Sequence, residues 1–361
     1  LRFIILVAAP AVLSINRMKD MSIRIPFNDY LSEYCYYHRR AYLKSRPRFW
    51  AIELTNACNL NCPMCPHGVM KRKIGFMSYD IFRRSIDEIA PFCDFVWLQL
   101  NGESLMHPQM RDFIAYCAKK KIKSGLFTNA SLLNEGTAEM ILNTELSRLV
   151  FSFEGINKEV YEKIRYGADF DAVRNNIYNF LKLKNRLRNK RLFTEVQIIR
   201  MRDTESQINL FKEQWNGLVD YVHIKPFIGW ANQEDSIAEM APGKDFFSPE
   251  RTKRKRYPCK YLWKSGFVLW NGDFVFCCFD FDGKMVIGNL ARDGLSKIWN
   301  SEKLKSIREK HLSGDFDNDL CRFCEDWDGE GSDMLYPFSL KFASQLLMHC
   351  YKYLRVVPHD A

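Results

Sequence analysis

The feature that most constrains this chain is a regular alternation of strand-like and helix-like segments that begins at Phe49. Short apolar segments with strand character alternate with amphipathic helical segments, and the six predicted strands are 49–54, 95–100, 123–127, 148–153, 193–199 and 221–225. Such alternation is typical of parallel βα units. Because crossovers between parallel strands are right-handed, we expect an open or partly closed barrel. The predicted fold class is therefore α/β, with a partial (β/α)6 barrel.

The sequence changes character after the last of these strands. Residues 266–276 predict a β-hairpin that turns at Asn271-Gly272, a dipeptide favoured in tight hairpin turns. A helix is expected at about 295–311. We predict four regions, namely an N-terminal lead-in, a barrel core, a small α+β hairpin-containing domain and an apolar tail helix, at residues 1–48, 49–237, 238–335 and 336–361.

Composition describes an ordinary globular chain. Of its 361 residues, 47% are hydrophobic and 27% are charged, both near average values. The net charge of +10 favours anionic partners without choosing among them. The apolar run Phe3–Leu13 is too short to span a bilayer, although it resembles a signal peptide. We nevertheless expect a cytoplasmic protein, because grouped thiols would tend to oxidise outside a reducing compartment.

The cysteines are grouped, and this grouping indicates metal ligation rather than disulfides. Cys58, Cys62 and Cys65, the first cysteine set, lie in the loop after the first predicted strand. Three thiolates this close together can bind three corners of a four-iron cluster and leave one iron without a protein ligand. Zinc with one further ligand is the alternative, but zinc sites favour paired CxxC knuckles. The spacing therefore favours an iron–sulfur cluster.

Further cysteines follow the barrel core. Cys259 precedes the predicted hairpin, Cys277 and Cys278 follow it, and Cys321 and Cys324 form a CxxC knuckle. Four thiolates complete a coordination sphere, which suits either zinc or an iron–sulfur cluster held only by protein ligands. The residue types alone leave both metals open.

The first cysteine set and the strand ends that follow it resemble the radical S-adenosylmethionine (SAM) enzymes over about residues 49–230. In that family the CxxxCxxC loop holds a [4Fe–4S] cluster whose open iron binds SAM. Cleavage of SAM then yields a 5′-deoxyadenosyl radical that abstracts a substrate hydrogen. Asn101-Gly102-Glu103-Ser104 corresponds to the family's Gly-Gly-Glu-Pro stretch, and Thr128-Asn129 corresponds to its Thr-Asn-Gly.

The resemblance implies a set of SAM-binding residues at the strand ends, namely Met64, Gly102, Glu103, Asn129, Ser152 and Glu154. A carboxylate such as Glu103 suits the ammonium of SAM, and Glu154 can accept hydrogen bonds from ribose hydroxyls. Met64 stands where an aromatic residue is common, so we expect a softer contact with adenine. The sequence nominates no catalytic acid, base or hydrogen donor.

The later cysteines resemble the SPASM/Twitch extension of the same family, which carries auxiliary [4Fe–4S] clusters. The additional cysteines of the longer SPASM form are absent, so the match implies the shorter Twitch form with one auxiliary cluster. Spacing from the hairpin glycine selects Cys277 over Cys278. The implied ligands, the second cysteine set, are Cys259, Cys277, Cys321 and Cys324.

These resemblances imply a radical SAM oxidoreductase with dehydrogenase-like activity. We expect a sugar-like or cyclitol-like alcohol as substrate, with the auxiliary cluster accepting an electron and flavodoxin or ferredoxin as the reducing donor. The alternative is a peptide-modifying maturase, although residues 1–48 are expected to be too short for a leader-binding domain. A zinc-bearing scaffold that binds nucleic acid through Lys182–Arg191 and Arg251–Arg256 is a remote alternative, and a nucleic-acid partner is not expected.

Overall fold

The computed structural model describes residues 21–243 and 256–327, with side chains from residue 27 onward. The apolar run Phe3–Leu13 and the tail helix expected in 336–361 lie outside the described residues, as does most of the basic run that ends at Arg256. Among the helices that the structure describes, we find none with the length and apolar character needed to cross a membrane.

Within the described chain, nine strands form one sheet. Their bounds are β1 Phe49–Ile52, β2 Phe95–Trp97, β3 Lys123–Thr128, β4 Arg148–Ser152, β5 Phe193–Ile199, β6 Tyr221–Lys225, β7 Ser265–Val268, β8 Asp273–Val275 and β9 Val286–Asn289. Strands β1 to β6 are parallel and adjacent in chain order. The predicted α/β fold with six parallel strands is confirmed.

Helices connect these strands and cover the sheet. Those that the structure describes are α1 Met21–Tyr37, α2 Tyr79–Ile89, α3 Met110–Lys119, α4 Glu135–Leu142, α5 Lys158–Ile164, α6 Phe170–Arg186, α7 Ile208–Trp215, α8 Asp235–Ala238, α9 Tyr261–Lys264, α10 Leu290–Asp293, α11 Leu295–Trp299 and α12 Glu302–Ser313. The prediction of a single helix at 295–311 is wrong. It is divided because Ser301 accepts a hydrogen bond from the Leu304 amide and so caps a new helix.

The predicted hairpin is formed by β7 and β8, and it extends the barrel sheet. Strand β7 pairs in parallel with β1, whereas β8 and β9 continue the sheet in antiparallel pairs. The β1–β7 register places Trp50 opposite Gly266. A Cβ atom on Gly266 would lie 2.5 Å from the fully buried Trp50 ring. The glycine therefore makes room for the aromatic side chain at the junction between the two predicted domains.

A buried ion pair holds the same junction from the carboxyl end of β1. The fully buried carboxylate of Glu53 accepts two hydrogen bonds from Arg72, each 2.7 Å long, and one from the Asn101 amide at 2.9 Å. The backbone amide of Trp270 also donates to Glu53, at 3.2 Å. Arg72 in turn donates through Nε to the Phe281 carbonyl at 2.6 Å. The first cysteine loop, the β2 loop and the hairpin are thereby fixed relative to one another.

Gly266→Ala is expected to lower the free energy of unfolding by about 1–3 kcal/mol, because the added methyl group overpacks the Trp50 ring. Thermal unfolding of the purified chain, followed by circular dichroism, measures this change. Gly243→Ala is the matched control, since a Cβ there meets no heavy atom of the described residues within 4 Å. An equal effect of the two substitutions would show that the β1–β7 junction tolerates a methyl group.

Candidate active site

A cavity of about 210 Å³ opens where β1 to β6 reach their carboxyl ends, the edge at which ligand sites gather in parallel α/β sheets. All three thiols of the first cysteine set line it. Its wall also contains five of the six residues expected to contact SAM, namely Met64, Gly102, Glu103, Asn129 and Ser152. Residues identified from the sequence pattern therefore line one common cavity.

The first cysteine set provides the softest ligands in this cavity. Burial raises the pKa of the Cys58, Cys62 and Cys65 thiols, and for Cys65 to about 12. Neighbouring thiols raise the pKa of Cys58 and Cys65 further. Thiols in such surroundings ionise when a cation binds them, because metal binding releases the proton. The donor chemistry and the burial of the set therefore fit a cationic iron–sulfur cluster.

Gly102 allows the β2 loop to approach the first cysteine loop. Its φ angle is +81°, and a Cβ atom there would lie 2.6 Å from the Ala57 carbonyl oxygen and 2.7 Å from that of Thr55. The following amide, of Glu103, donates to the Ala57 carbonyl at 2.8 Å. Because left-handed backbone favours glycine and the space is closed, no other residue fits here without a shift of the loop.

Glu103 presents a carboxylate to the cavity. Its two oxygens accept hydrogen bonds from the backbone amides of Leu105, at 3.0 Å, and Asn129, at 2.8 Å. Burial raises its pKa, and these two amides act in the opposite direction by favouring the charged form. An ionised carboxylate has about four lone-pair positions, so acceptor capacity remains for a ligand ammonium. Glu103 is thus positioned by backbone contacts and still able to bind a cation.

Two further predicted residues bridge neighbouring loops. Asn129 donates through Nδ2 to Asn59 Oδ1 at 3.0 Å, so it supports the first cysteine loop from the end of β3. Ser152 accepts from Gln197 Nε2 at 3.1 Å. Both side chains line the cavity while being held by protein partners.

Glu154 does not line the cavity, but it is ion-paired with Arg165, which does. The sequence analysis did not identify Arg165. One Glu154 oxygen is ion-paired with Arg165 Nε, whereas Oε1 is buried and has no hydrogen-bond partner in the described chain. Arg165 Nη1 lies 3.7 Å from Cys62 Sγ. Burial acts to lower the Arg165 pKa, but Glu154 and Cys62 more than offset it and raise the pKa well above its ordinary value. Arg165 thus places a permanent positive charge beside the first cysteine set.

Trp230 is a second residue that the sequence reasoning missed. It lines the cavity, and its indole Nε1 donates to the Met64 carbonyl at 3.0 Å. Met64 itself is buried in the wall of the cavity, as expected. The wall at this point therefore combines a thioether with an aromatic ring contributed from the segment after β6.

The thiols of the second cysteine set lie close enough to raise one another's pKa. Burial raises the pKa of Cys259, and the neighbouring thiols of Cys277 and Cys321 add to the effect. Burial also raises the pKa of Cys324, with contributions from Cys277 and Cys259, and it raises that of Cys321 to about 11.

The two adjacent cysteines after β8 have different surroundings. The Cys277 thiol raises the pKa of Cys259 and Cys324, whereas Cys278 lines the cavity that holds the first set. Cys277 remains the predicted ligand of the second set, and the residue next to it in the chain lines the cavity that holds the first set.

Between residues 21 and 243 and between 256 and 327, no three His, Cys, Asp or Glu side chains converge closely enough to hold a single metal ion. A zinc site requires about four donors around one ion. A four-iron cluster instead takes one thiolate at each iron corner. The two alternatives therefore differ in the arrangement of their donors, and the metal content of the purified chain distinguishes them.

Two family models match the chain. Residues 52–223 match the model of the Radical SAM superfamily, and residues 259–325 match the SPASM model, which describes an iron–sulfur cluster-binding domain. The first range contains the first cysteine set and the second range contains the second set. Both resemblances inferred from the motifs are confirmed, in the expected order along the chain.

Curated relatives match with different coverage. The AdoMet-dependent heme synthase of Methanosarcina barkeri is 30% identical over 125 residues, which are 34% of this chain and 36% of that protein. The alignments with this and two other relatives span about a third of their length. The S-adenosyl-L-methionine-dependent 2-deoxy-scyllo-inosamine dehydrogenase of Niallia circulans is 21% identical over 76% of this chain and 90% of that enzyme.

A solved structure with the same fold is that of Streptococcus suis SuiB bound to precursor peptide SuiA. It superposes with a TM-score of 0.60 at 15% identity, over 78% of this chain and 70% of SuiB. At this identity the likeness supports the fold alone.

Cys277→Ala and Cys278→Ala are expected to differ in iron content, although the residues are adjacent. Anaerobically reconstituted chain should hold about eight iron atoms, from two four-iron clusters. Cys277→Ala should retain about four, because it removes a ligand of the second cysteine set, and Cys278→Ala should retain all of them. Iron and acid-labile sulfide assays measure both variants. The reverse pattern would assign the ligand to Cys278.

Proposed function

Because this chain belongs to the radical SAM superfamily and carries a C-terminal SPASM-type iron–sulfur domain, we propose that it oxidises an alcohol carbon of a sugar-like or cyclitol-like molecule. The radical SAM domain implies SAM and a [4Fe–4S] cluster, which when bound supply the 5′-deoxyadenosyl radical that takes the substrate hydrogen. The SPASM domain implies additional iron–sulfur clusters. Reduced thiols in both sites favour a reducing compartment such as the cytoplasm.

The observation that carries the proposal is the alignment with the 2-deoxy-scyllo-inosamine dehydrogenase over nine-tenths of that enzyme's length. That alignment extends beyond the barrel into the cluster-binding domain, since it covers 76% of this chain. The cavity itself supports a hydroxyl-bearing substrate, because Gln99, Ser152 and Gln197 provide neutral hydrogen-bonding groups in its wall.

Residues of the chain would bind the cluster and SAM. The first cysteine set would hold the SAM-binding cluster, and Arg165 beside Cys62 would stabilise negative charge on the thiolates and on a ligand carboxylate. Glu103 would accept from the SAM ammonium. Glu154, which lies behind the cavity, would hold Arg165 in place through their buried ion pair.

The second cysteine set would serve the other half of the oxidation. Removing one hydrogen atom from a carbinol carbon leaves a radical that must lose one electron and the hydroxyl proton to become a ketone. The four thiols would hold an auxiliary cluster as the acceptor of that electron, with Cys278 on the cavity side of the same turn. Flavodoxin or ferredoxin is the proposed donor of the electron that starts each turnover.

Deuterium placed on the oxidised carbon of the substrate is expected to appear in 5′-deoxyadenosine, because the hydrogen is taken directly from that carbon. The test incubates the reconstituted chain anaerobically with SAM, dithionite and carbinol-deuterated cyclitols and sugars, and follows label by mass spectrometry. A carbonyl product should form in parallel with the transfer of deuterium. Label transfer only from deuterated peptides would contradict the proposal and favour a peptide maturase.

Cys321→Ala is expected to retain SAM cleavage to 5′-deoxyadenosine and to lose ketone formation, since it removes a ligand of the proposed electron acceptor only. Both products are quantified by chromatography in the same reaction. Cys35→Ala is the matched control, because that buried cysteine belongs to neither set. Normal ketone formation by Cys321→Ala would rule out the role of the second cysteine set as electron acceptor.

A further inference from the structure

The residues that follow the first cysteine set form a compact loop, the 67–76 loop, whose two ends are held by one buried residue. That residue is Asn56, which lies in the first cysteine loop and is fully buried. Its carbonyl oxygen is 3.0 Å from His67 Nε2, its side-chain Nδ2 donates to the Lys73 carbonyl at 3.0 Å, and its Oδ1 accepts from the Gly75 amide at 2.8 Å. Loops closed in this way are frequently functional. The 67–76 loop is therefore fixed directly beside the segment that carries the first cysteine set.

Three large apolar side chains of the 67–76 loop are exposed. Val69, Ile74 and Phe76 have exposed fractions of 40%, 49% and 45%. A single exposed apolar side chain is ordinary, whereas several close together indicate a contact surface for another molecule. The hydrogen bonds to Asn56 hold the two arms of the loop together, so these side chains belong to one small area of the surface.

The same loop carries exposed cations. Lys71 and Lys73 are exposed, and neither ammonium forms an ion pair with another described residue. Arg72, between them, is engaged in the buried ion pair with β1. The adjacent turn after β8 adds one carboxylate, Asp282, whose Oδ1 accepts from the Lys71 amide at 2.7 Å, and one exposed lysine, Lys284. Positive charge is therefore in excess at this surface, which favours an acidic partner.

The position of the loop indicates what that partner delivers. An electron has to reach the first cysteine set before SAM is cleaved there, and the rate of electron transfer between proteins falls steeply with distance. A donor must therefore bind close to the set, and the 67–76 loop begins two residues after its last cysteine. Complexes of electron-transfer proteins are small and often bury less than about 1,200 Å² in total, so a single loop can provide much of one side of the contact.

We propose that the 67–76 loop is the docking surface for an acidic electron-transfer protein that reduces the site at the first cysteine set. Lys71 and Lys73 pair with carboxylates around the donor's redox cofactor, while Val69 and Ile74 pack against apolar groups at the centre of the contact. The inference rests on the proposed function only in taking the donor to be flavodoxin or ferredoxin. It does not depend on the oxidation of an alcohol.

Flavodoxin and ferredoxin, each immobilised, are the probes, and biolayer interferometry measures their affinity for the reconstituted chain. The double variant Lys71→Gln with Lys73→Gln should bind at least one probe more weakly by about fivefold or more at low ionic strength. The loss should shrink at high ionic strength, because salt screens exposed charges. The matched control is Lys121→Gln with Lys123→Gln, which removes two exposed lysines of the same spacing at the amino end of β3, the opposite edge of the sheet.

Ile74→Ser tests the apolar part of the surface independently of charge. It should weaken binding by a similar factor at low and high ionic strength, because salt does not screen a contact between apolar side chains. Leu187→Ser is its control, since Leu187 is 50% exposed and Ile74 is 49% exposed. Iron content and circular dichroism establish that each variant is folded and loaded.

The rate of SAM cleavage separates docking from damage to the cluster site. With the reduced probe below its dissociation constant, the two loop variants should form 5′-deoxyadenosine more slowly, by the same factor as they lose affinity. With dithionite, a small reductant that needs no docking surface, they should match the parent chain. Cleavage is measured without substrate, so a failure of alcohol oxidation would leave the docking surface standing, and the two failures are distinguishable.

Three outcomes of the binding measurements would overturn the proposal. They are a parent chain that binds neither probe, unchanged affinity in both loop variants, and an equal loss of affinity in the control variants. Sedimentation of the chain with phosphatidylglycerol vesicles is measured in parallel. If the loop variants lost binding to the vesicles while keeping their affinity for the probes, the 67–76 loop would be assigned to a membrane surface and the proposal would fail.

Discussion

The buried carboxylate of Glu53 is the contact on which the arrangement of the site depends. Through Arg72, Asn101 and the amide of Trp270 it joins the first cysteine loop, the loop after β2 and the β7–β8 hairpin. Burying a charge is costly, and removing one partner of a buried pair typically costs about 3–5 kcal/mol because the other charge is left uncompensated. These three segments are therefore held in one relative arrangement. The first two line the cavity, and the chain that follows the hairpin lines it through Cys278 and Phe279.

Continuity of the sheet has a direct consequence for the two cysteine sets. Because β7 pairs with β1, the small C-terminal part is an extension of the barrel sheet and shares its core. The turn after β8 then carries one cysteine to each site, Cys277 to the second set and Cys278 to the cavity wall. The relative position of the two sites is therefore set by one continuous sheet and core rather than by docking of separate domains.

Strong periodicity made much of the barrel predictable from the sequence. The bounds of Phe193–Ile199 and Tyr221–Lys225 agree with the expectation, since runs of strand-forming apolar residues define them locally. Short elements were missed. Helix α5 and strand β9 have seven and four residues, too few for a periodic pattern to emerge.

The residues of the site that could be predicted are those that belong to sequence motifs at the strand ends. Arg165 could not be found in this way, because its role comes from burial, from a pair with Glu154 and from a contact with Cys62, 103 positions away in the chain. Trp230 was missed for the same reason, because its indole donates to the Met64 carbonyl, 166 positions away in the chain. Long-range pairing, which no local pattern encodes, decides both positions.

The segment after β6 shows how such pairing is maintained. Trp230, Ala231 and Asn232 all have positive φ angles, a conformation that costs non-glycine residues about 1–3 kcal/mol each and persists only when its surroundings determine it. Here the Trp230 indole donates to the Met64 carbonyl, and the Asn232 amide donates to the carbonyl of Phe323, between Cys321 and Cys324. One strained turn thus contacts the loops of both cysteine sets. A shift in either loop would remove a hydrogen bond that holds this turn, so the geometry of each site depends on that of the other.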